Sequence, residues 1–154
     1  MHSYAALIGS VELAEDVGFL LARAGSLAIR SLNRALEPYG MRARHYAALC
    51  LAAEGEGVRQ RTIGTSLGLD PSQVVALVDD LERLGLVSRR PDPSDRRTRL
   101  VVVSPRGRQV RDEGRRAAHR VNGQMLAAVD GSDQRHLVVL LQAIVADQVT
   151  RADR

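Results

Sequence analysis

Lysine and tryptophan are absent from these 154 residues, and cysteine occurs once. All 22 basic side chains are therefore arginine, which carries permanent charge on a planar donor fork suited to phosphates and base edges wherever it clusters. The lone Cys50 excludes an internal disulfide framework and fits a reducing compartment. Aromatic rings are scarce: Tyr4, Phe19, Tyr39 and Tyr46 are too few for a platform that stacks single-stranded bases, so duplex DNA is the better polyanion. No apolar run approaches the roughly 18 residues of a membrane span, and residues 1–10 have neither a basic leader nor a long apolar stretch. The expectation is a soluble, cytoplasmic chain without a membrane partner. A Gly-rich phosphate loop, a Gly-x-Ser-x-Gly turn and a nucleophile–base pair are also missing, so neither catalysis nor a cofactor is expected. His2, His45, His119 and His136 lack ligand spacing, and no Cys pair accompanies them, which argues against a metal site.

Against these absences stands a hydrophobic content of 45%, enough to bury a core within one domain spanning 1–154. The formal net charge is only +4, but its distribution is uneven. Residues 83–116 hold eleven arginines against Asp92, Asp95, Asp112 and Glu113, while the remainder of the chain is net acidic. One segment thus carries the attraction for an anionic partner.

Apolar residues at Leu13, Val17, Leu20, Ala24, Leu27 and Leu36 predict one amphipathic helix over about 11–36, ended by Pro38 and Gly40. A second helix over 42–53 and a third over 60–67 follow, the latter closed at Gly68. The next start signal is complete: Asp70 as N-cap, Pro71 at the first helical position and Gln73 three residues after the cap. Along that helix Val74, Leu77, Val78, Leu81 and Leu84 share one arc. Ser72, Gln73, Val75, Ala76, Asp79, Asp80 and Arg83 share the other, leaving one face for the core and one for a partner. Two β-prone runs, 86–89 and 99–103, flank a basic tip and read as a hairpin. Ser104-Pro105 opens a helix reaching about 129, and a last helix covers 133–149.

The order is mainly α with a small β-hairpin wing, α-α-α-α-β-β-α-α. A short helix, a Gly turn, a well-capped helix and a basic hairpin form a winged helix-turn-helix lobe over 42–104. The flanking helices, 11–38 and 105–150, carry more apolar surface than a thin lobe can cover, so they are expected to hold two copies together.

The chain closely resembles the MarR family of bacterial regulators. The matching residues are 67–72 (LGLDPS), Leu77-Val-Asp79 with Leu81-Glu82, Gly85-Leu-Val87, and above all 92–97 (DPSDRR) leading to Leu100-Val and Ser104-Pro-Arg-Gly107. The resemblance implies a homodimer on a near-palindromic operator, a transcriptional regulator and more specifically a repressor, commonly released by a small ligand. It also implies that Asp95 orients Arg97 for the minor groove. A carboxylate that fixes a guanidinium lowers the entropy lost on contact.

The expected DNA contacts are Ser72, Gln73, Val75, Ala76 and Arg83 on the helix and Asp95, Arg96, Arg97 and Arg99 on the wing. Gln73 can address adenine, and Val75 and Ala76 can lie against thymine methyls. Asp79 and Asp80 repel phosphates unless Arg83 neutralises them. Their presence also admits an architectural or protein-interaction module without a specific operator. For an effector, a small aromatic or carboxylate compound, the expected pocket residues are Arg23, Tyr39, His45 and Tyr46, with packing as the competing role. Cys50, inside an apolar stretch without a base, reads as an inert thiol.

Overall fold

A computed structural model gives the structure of the chain and describes residues 9–95 and 97–152, with side chains through 147. The chain divides into two compact units, the boundary falling between Val121 and Asn122.

The described part of the first unit starts with two helices where the periodicity predicts one: α1 (Val11–Glu15) and α2 (Val17–Leu36). The break lies at Asp16, whose backbone is extended and whose carboxylate accepts the Phe19 N–H as an N-cap. An aspartate able to bond the main chain locally competes with helix continuation, and a three-and-four apolar repeat does not register a single-residue interruption. A 3-10 turn, Glu37–Tyr39, ends at the left-handed Gly40 and leads to α3 (Ala43–Ala52).

The strand pair of the expected hairpin is part of a three-stranded antiparallel sheet in the order β1-β3-β2. The additional strand, β1, is only Val58–Arg59, too short for any alternation to be visible in sequence. It aligns Val58 with Val101 and Arg59 with Leu100. β2 (Val87–Pro91) pairs with β3 (Arg99–Val103) from Val87 opposite Val103 to Pro91 opposite Arg99. Between β1 and β2 lie α4 (Gln60–Leu67) and α5 (Pro71–Arg83), with the boundaries that the caps predict. Their core faces meet: Ile63 of α4 and Val78 and Leu81 of α5 are fully buried, together with Leu36, Leu49 and Val101. Each such side chain contributes about 2 kcal/mol by leaving water. The cluster therefore fixes α5 against the sheet and leaves its opposite face free.

α6 (Pro105–Met125) starts at Ser104, whose hydroxyl accepts the Gly107 N–H (2.9 Å) and donates to the Gly85 carbonyl (2.7 Å). That bond ties the beginning of α6 to the turn leaving α5. In the second unit, α7 (Gly131–Ala152) is preceded by turns in which Gln134 Nε2 donates to the carbonyls of Leu126 and Val129. Val138, Val139, Leu140, Leu141, Ile144 and Val145 on α7 are all exposed in this single chain. Among the described residues, no helix is long and apolar enough to cross a membrane.

Candidate nucleic-acid interface

The outward face of α5 begins with its cap. Asp70 Oδ1 accepts the Gln73 N–H (2.9 Å) and the Ser72 hydroxyl (2.6 Å), while Gln73 Oε1 accepts the Asp70 N–H (3.1 Å). These bonds hold the Asp70 carboxyl below its ordinary range, the Ser72 hydroxyl first among the causes. Gln73 thus enters any base contact with one lone pair of its oxygen engaged and both amide hydrogens open. Ser72, Gln73, Val75, Ala76 and Arg83 are exposed, on the side of the helix away from the core.

The two aspartates of this helix are neutralised from different directions. Among the described residues, Arg83 pairs with Asp80. Asp79 is held by Arg89 of β2 (2.7 Å), a guanidinium that also pairs with Glu82 and donates from Nε to Gln60 Oε1 (2.8 Å). Arg89, about one-fifth exposed, joins α4, α5 and β2 in one network. The expectation that Arg83 serves both acids is therefore corrected: the reach to Asp79 comes from the sheet. The charge run alone could not separate Arg89 from its neighbour Arg90, because which of them faces α5 depends on the strand's register.

At the wing, Asp95 acts on the main chain. Its Oδ1 accepts the Arg97 N–H (3.0 Å) and its Oδ2 the Thr98 hydroxyl (2.9 Å), while the Thr98 N–H closes the tip on the Asp95 carbonyl (2.9 Å). The structure thus shows a bond to the amide of Arg97 where the expectation is one to its guanidinium; a short turn brings the amide nearest. Arg97 and Arg99 are exposed, and Arg96 lies outside the described residues. Two further arginines belong to the site and are absent from the expected set: Arg89, and Arg59 of β1, which is paired with the buried Asp92.

The four expected effector residues do not converge. His45 lines a cavity of about 470 Å³ with Asn33, Arg42, Arg44, Gln73, Ala76 and Asp80, bounded by α2, the start of α3 and the outer side of α5. Arg23, Tyr39 and Tyr46 do not line it. Tyr46 packs on Gly114, and burial, first among the causes and followed by the nearby Cys50 thiol, pushes its phenol up to about 12. Burial likewise pushes the Cys50 thiol up, the direction of an unreactive cysteine.

The helix pair, the free polar face of α5 and the arginine-bearing hairpin define the winged helix-turn-helix class of DNA-binding proteins. Comparison with known proteins narrows that class. Residues 39–98 match the model of the MarR family. The crystal structure of CouR from Rhodococcus jostii RHA1 bound to p-coumaroyl-CoA is 42% identical, with 88% of this chain and 95% of that one covered and a TM-score of 0.80. A transcriptional regulator of the MarR family from Rhodococcus sp. RHA1 is 40% identical, covering 88% and 97% at a TM-score of 0.81. A transcriptional repressor, also named CouR and bound to a 23-mer DNA duplex, is 27% identical, covering 88% and 96% at a TM-score of 0.76. The chain belongs to the MarR family of transcriptional regulators.

Proposed function

We propose that the protein is a homodimeric, sequence-specific repressor, acting in the cytoplasm and without enzymatic activity, whose two α5 helices enter successive major grooves of a near-palindromic operator. The observation that carries this reading is the α5–wing surface. Ser72, Gln73, Val75 and Ala76 are presented outward, the helix's own acids are satisfied by Arg83 and Arg89, and Arg97 stands exposed on the adjoining hairpin. With Asp79, Asp80 and Glu82 paired, the helix has no unpaired carboxylate along its length to repel phosphate, and because the Asp70 carboxylate already caps the helix dipole, the attraction for phosphate falls to the arginines. Few side chains of α5 offer hydrogen bonds to bases, so the wing, through Arg96, Arg97 and Arg99 with Asp95 shaping the tip, supplies much of the affinity.

Arg97→Ala is expected to weaken binding about 10- to 100-fold and to reduce the salt slope by about one, whereas Gln73→Ala mainly relaxes base preference. Titrations at several salt concentrations, on the duplex that wild type selects from a random pool, check both. Unchanged affinity in Arg97→Ala would remove the wing from the interface.

The cavity beside His45 supports release by a small molecule. Arg42 and Arg44 at its rim favour a carboxylate or other anion, Ile29 and Leu77 favour an aromatic body, and the CouR relative with p-coumaroyl-CoA extends the class to aromatic thioesters. Thermal shift with p-coumarate, its CoA thioester and an aliphatic acid tests this. Stabilisation by an aromatic ligand that is lost in Arg42→Ala supports the site, and no shift with any of them counts against it.

A further inference from the structure

A long hairpin tip on two short strands is held poorly by the strands alone. Here the restraint comes from outside the hairpin. Gly57, at φ +123°, lets the chain lie tight against β3; a Cβ there would come within 2.8 Å of Val102 Cγ2 and 2.9 Å of the Val101 carbonyl oxygen. From this close approach Arg59 reaches the end of the wing's first strand, placing Nε (3.1 Å) and Nη2 (2.7 Å) on Asp92 Oδ2. Asp92 Oδ1 accepts the Ser94 N–H (2.8 Å) and the Ser94 hydroxyl (2.6 Å).

Asp92 is buried while Pro91, Pro93, Ser94 and Asp95 around it are exposed. Its four bonds fill the lone-pair positions of a carboxylate, and the Ser94 and Arg59 bonds hold it down at about 2. The main chain continues the path: Asp92 N–H donates to the Thr98 carbonyl (2.9 Å), the Asp92 carbonyl accepts the Asp95 N–H (3.2 Å), and Asp95 accepts the Arg97 N–H. An unbroken chain of hydrogen bonds therefore runs from the Arg59 guanidinium to the backbone of Arg97.

We propose that Arg59 is a positioning residue for the wing, clamping Asp92 and thereby setting where Arg97 is presented to DNA. The proposal rests on the reading of Arg97 as a DNA contact. Because β1 leads directly into α4, the clamp also registers the wing against the helix pair. Without Arg59 the buried carboxylate loses half its partners, and the least costly relief is for Asp92 to turn toward water and carry the tip with it.

Two readouts test the clamp. In amide hydrogen exchange without DNA, Arg59→Ala should speed exchange at Ser94, Asp95, Arg97 and Thr98 about tenfold while Val78 and Leu81 keep their rates. Arg59→Lys, which keeps the charge and loses the fork, should fall between, and it carries the comparison if Arg59→Ala fails to fold. In titrations with the selected duplex, Arg59→Ala and Arg97→Ala should each lose roughly tenfold, and the double variant should lose little beyond the worse single one. Unchanged wing exchange in Arg59→Ala, or losses that multiply in the double variant, would overturn the proposal. If Arg97→Ala binds like wild type, the DNA-contact reading falls, and exchange alone then decides whether Arg59 holds the wing.

Discussion

At the residue scale, His45 shows how one side chain serves two elements. Its Nδ1 accepts the Arg42 N–H (3.0 Å) at the start of α3, so the neutral ring carries its proton on Nε2, which faces Asp80 Oδ2 at 3.4 Å. Burial, with Arg42 and Arg83 nearby, lowers its pKa from the ordinary 6.5. The unfolded chain then binds the proton more readily than the folded one, so the stability associated with the neutral ring is complete above pH 6.5 and declines as pH falls toward the lower folded value. The unfolding midpoint should drop between pH 7 and pH 5, and His45→Gln should lose part of that drop; an identical pH profile in the variant would remove His45 from the account. In the sequence His45 stood out as a pocket residue, and the cavity does include it. Its capping role was hidden because the donor is a backbone amide. Arg59 was equally hidden, since its partner Asp92 lies 33 positions away, across a sheet whose third strand has two residues.

At the element scale, local chemistry was readable wherever a cap or a proline marks a boundary. Asp70-Pro71 and Ser104-Pro105 open α5 and α6 where expected, and Gly68 at φ +62° closes α4. Boundaries set by competition or by pairing were not readable: Asp16 splits the first helix, and β1 exists through its ladder with β3. The interior of α6 carries a sharper constraint. A Cβ on Gly107 would collide with the Leu86 carbonyl oxygen, whereas one on Gly123 meets nothing within 4 Å. Gly107→Ala must move backbone and should cost about 3 kcal/mol. Gly123→Ala should add roughly 0.5–1 kcal/mol through helix propensity. Denaturant unfolding of the two variants measures both; equal effects would mean that the contact of α6 with the turn after α5 is not tight.

At the scale of the whole molecule, the exposed apolar surface supports the proposed homodimer. Val11 and Val17 at the start of the chain and Val139 and Val145 on α7 are each about 60% exposed or more, more apolar area than a lone regulator leaves in water. In the proposed homodimer, two copies joined through these helices would present two α5–wing surfaces, the condition for reading an inverted repeat. Leu141→Glu should shift sedimentation toward the monomer and weaken binding to a two-half-site duplex more than to a single half-site. Operator recognition by a dimer is measured by selecting binding sites from a random duplex pool with the wild-type protein. A dimeric, sequence-specific regulator enriches an inverted repeat with half-site centres about one helical turn apart, bound about a thousandfold or more tighter than the starting pool. Recovery of sequences without a repeat, bound no better than the pool, would contradict such recognition.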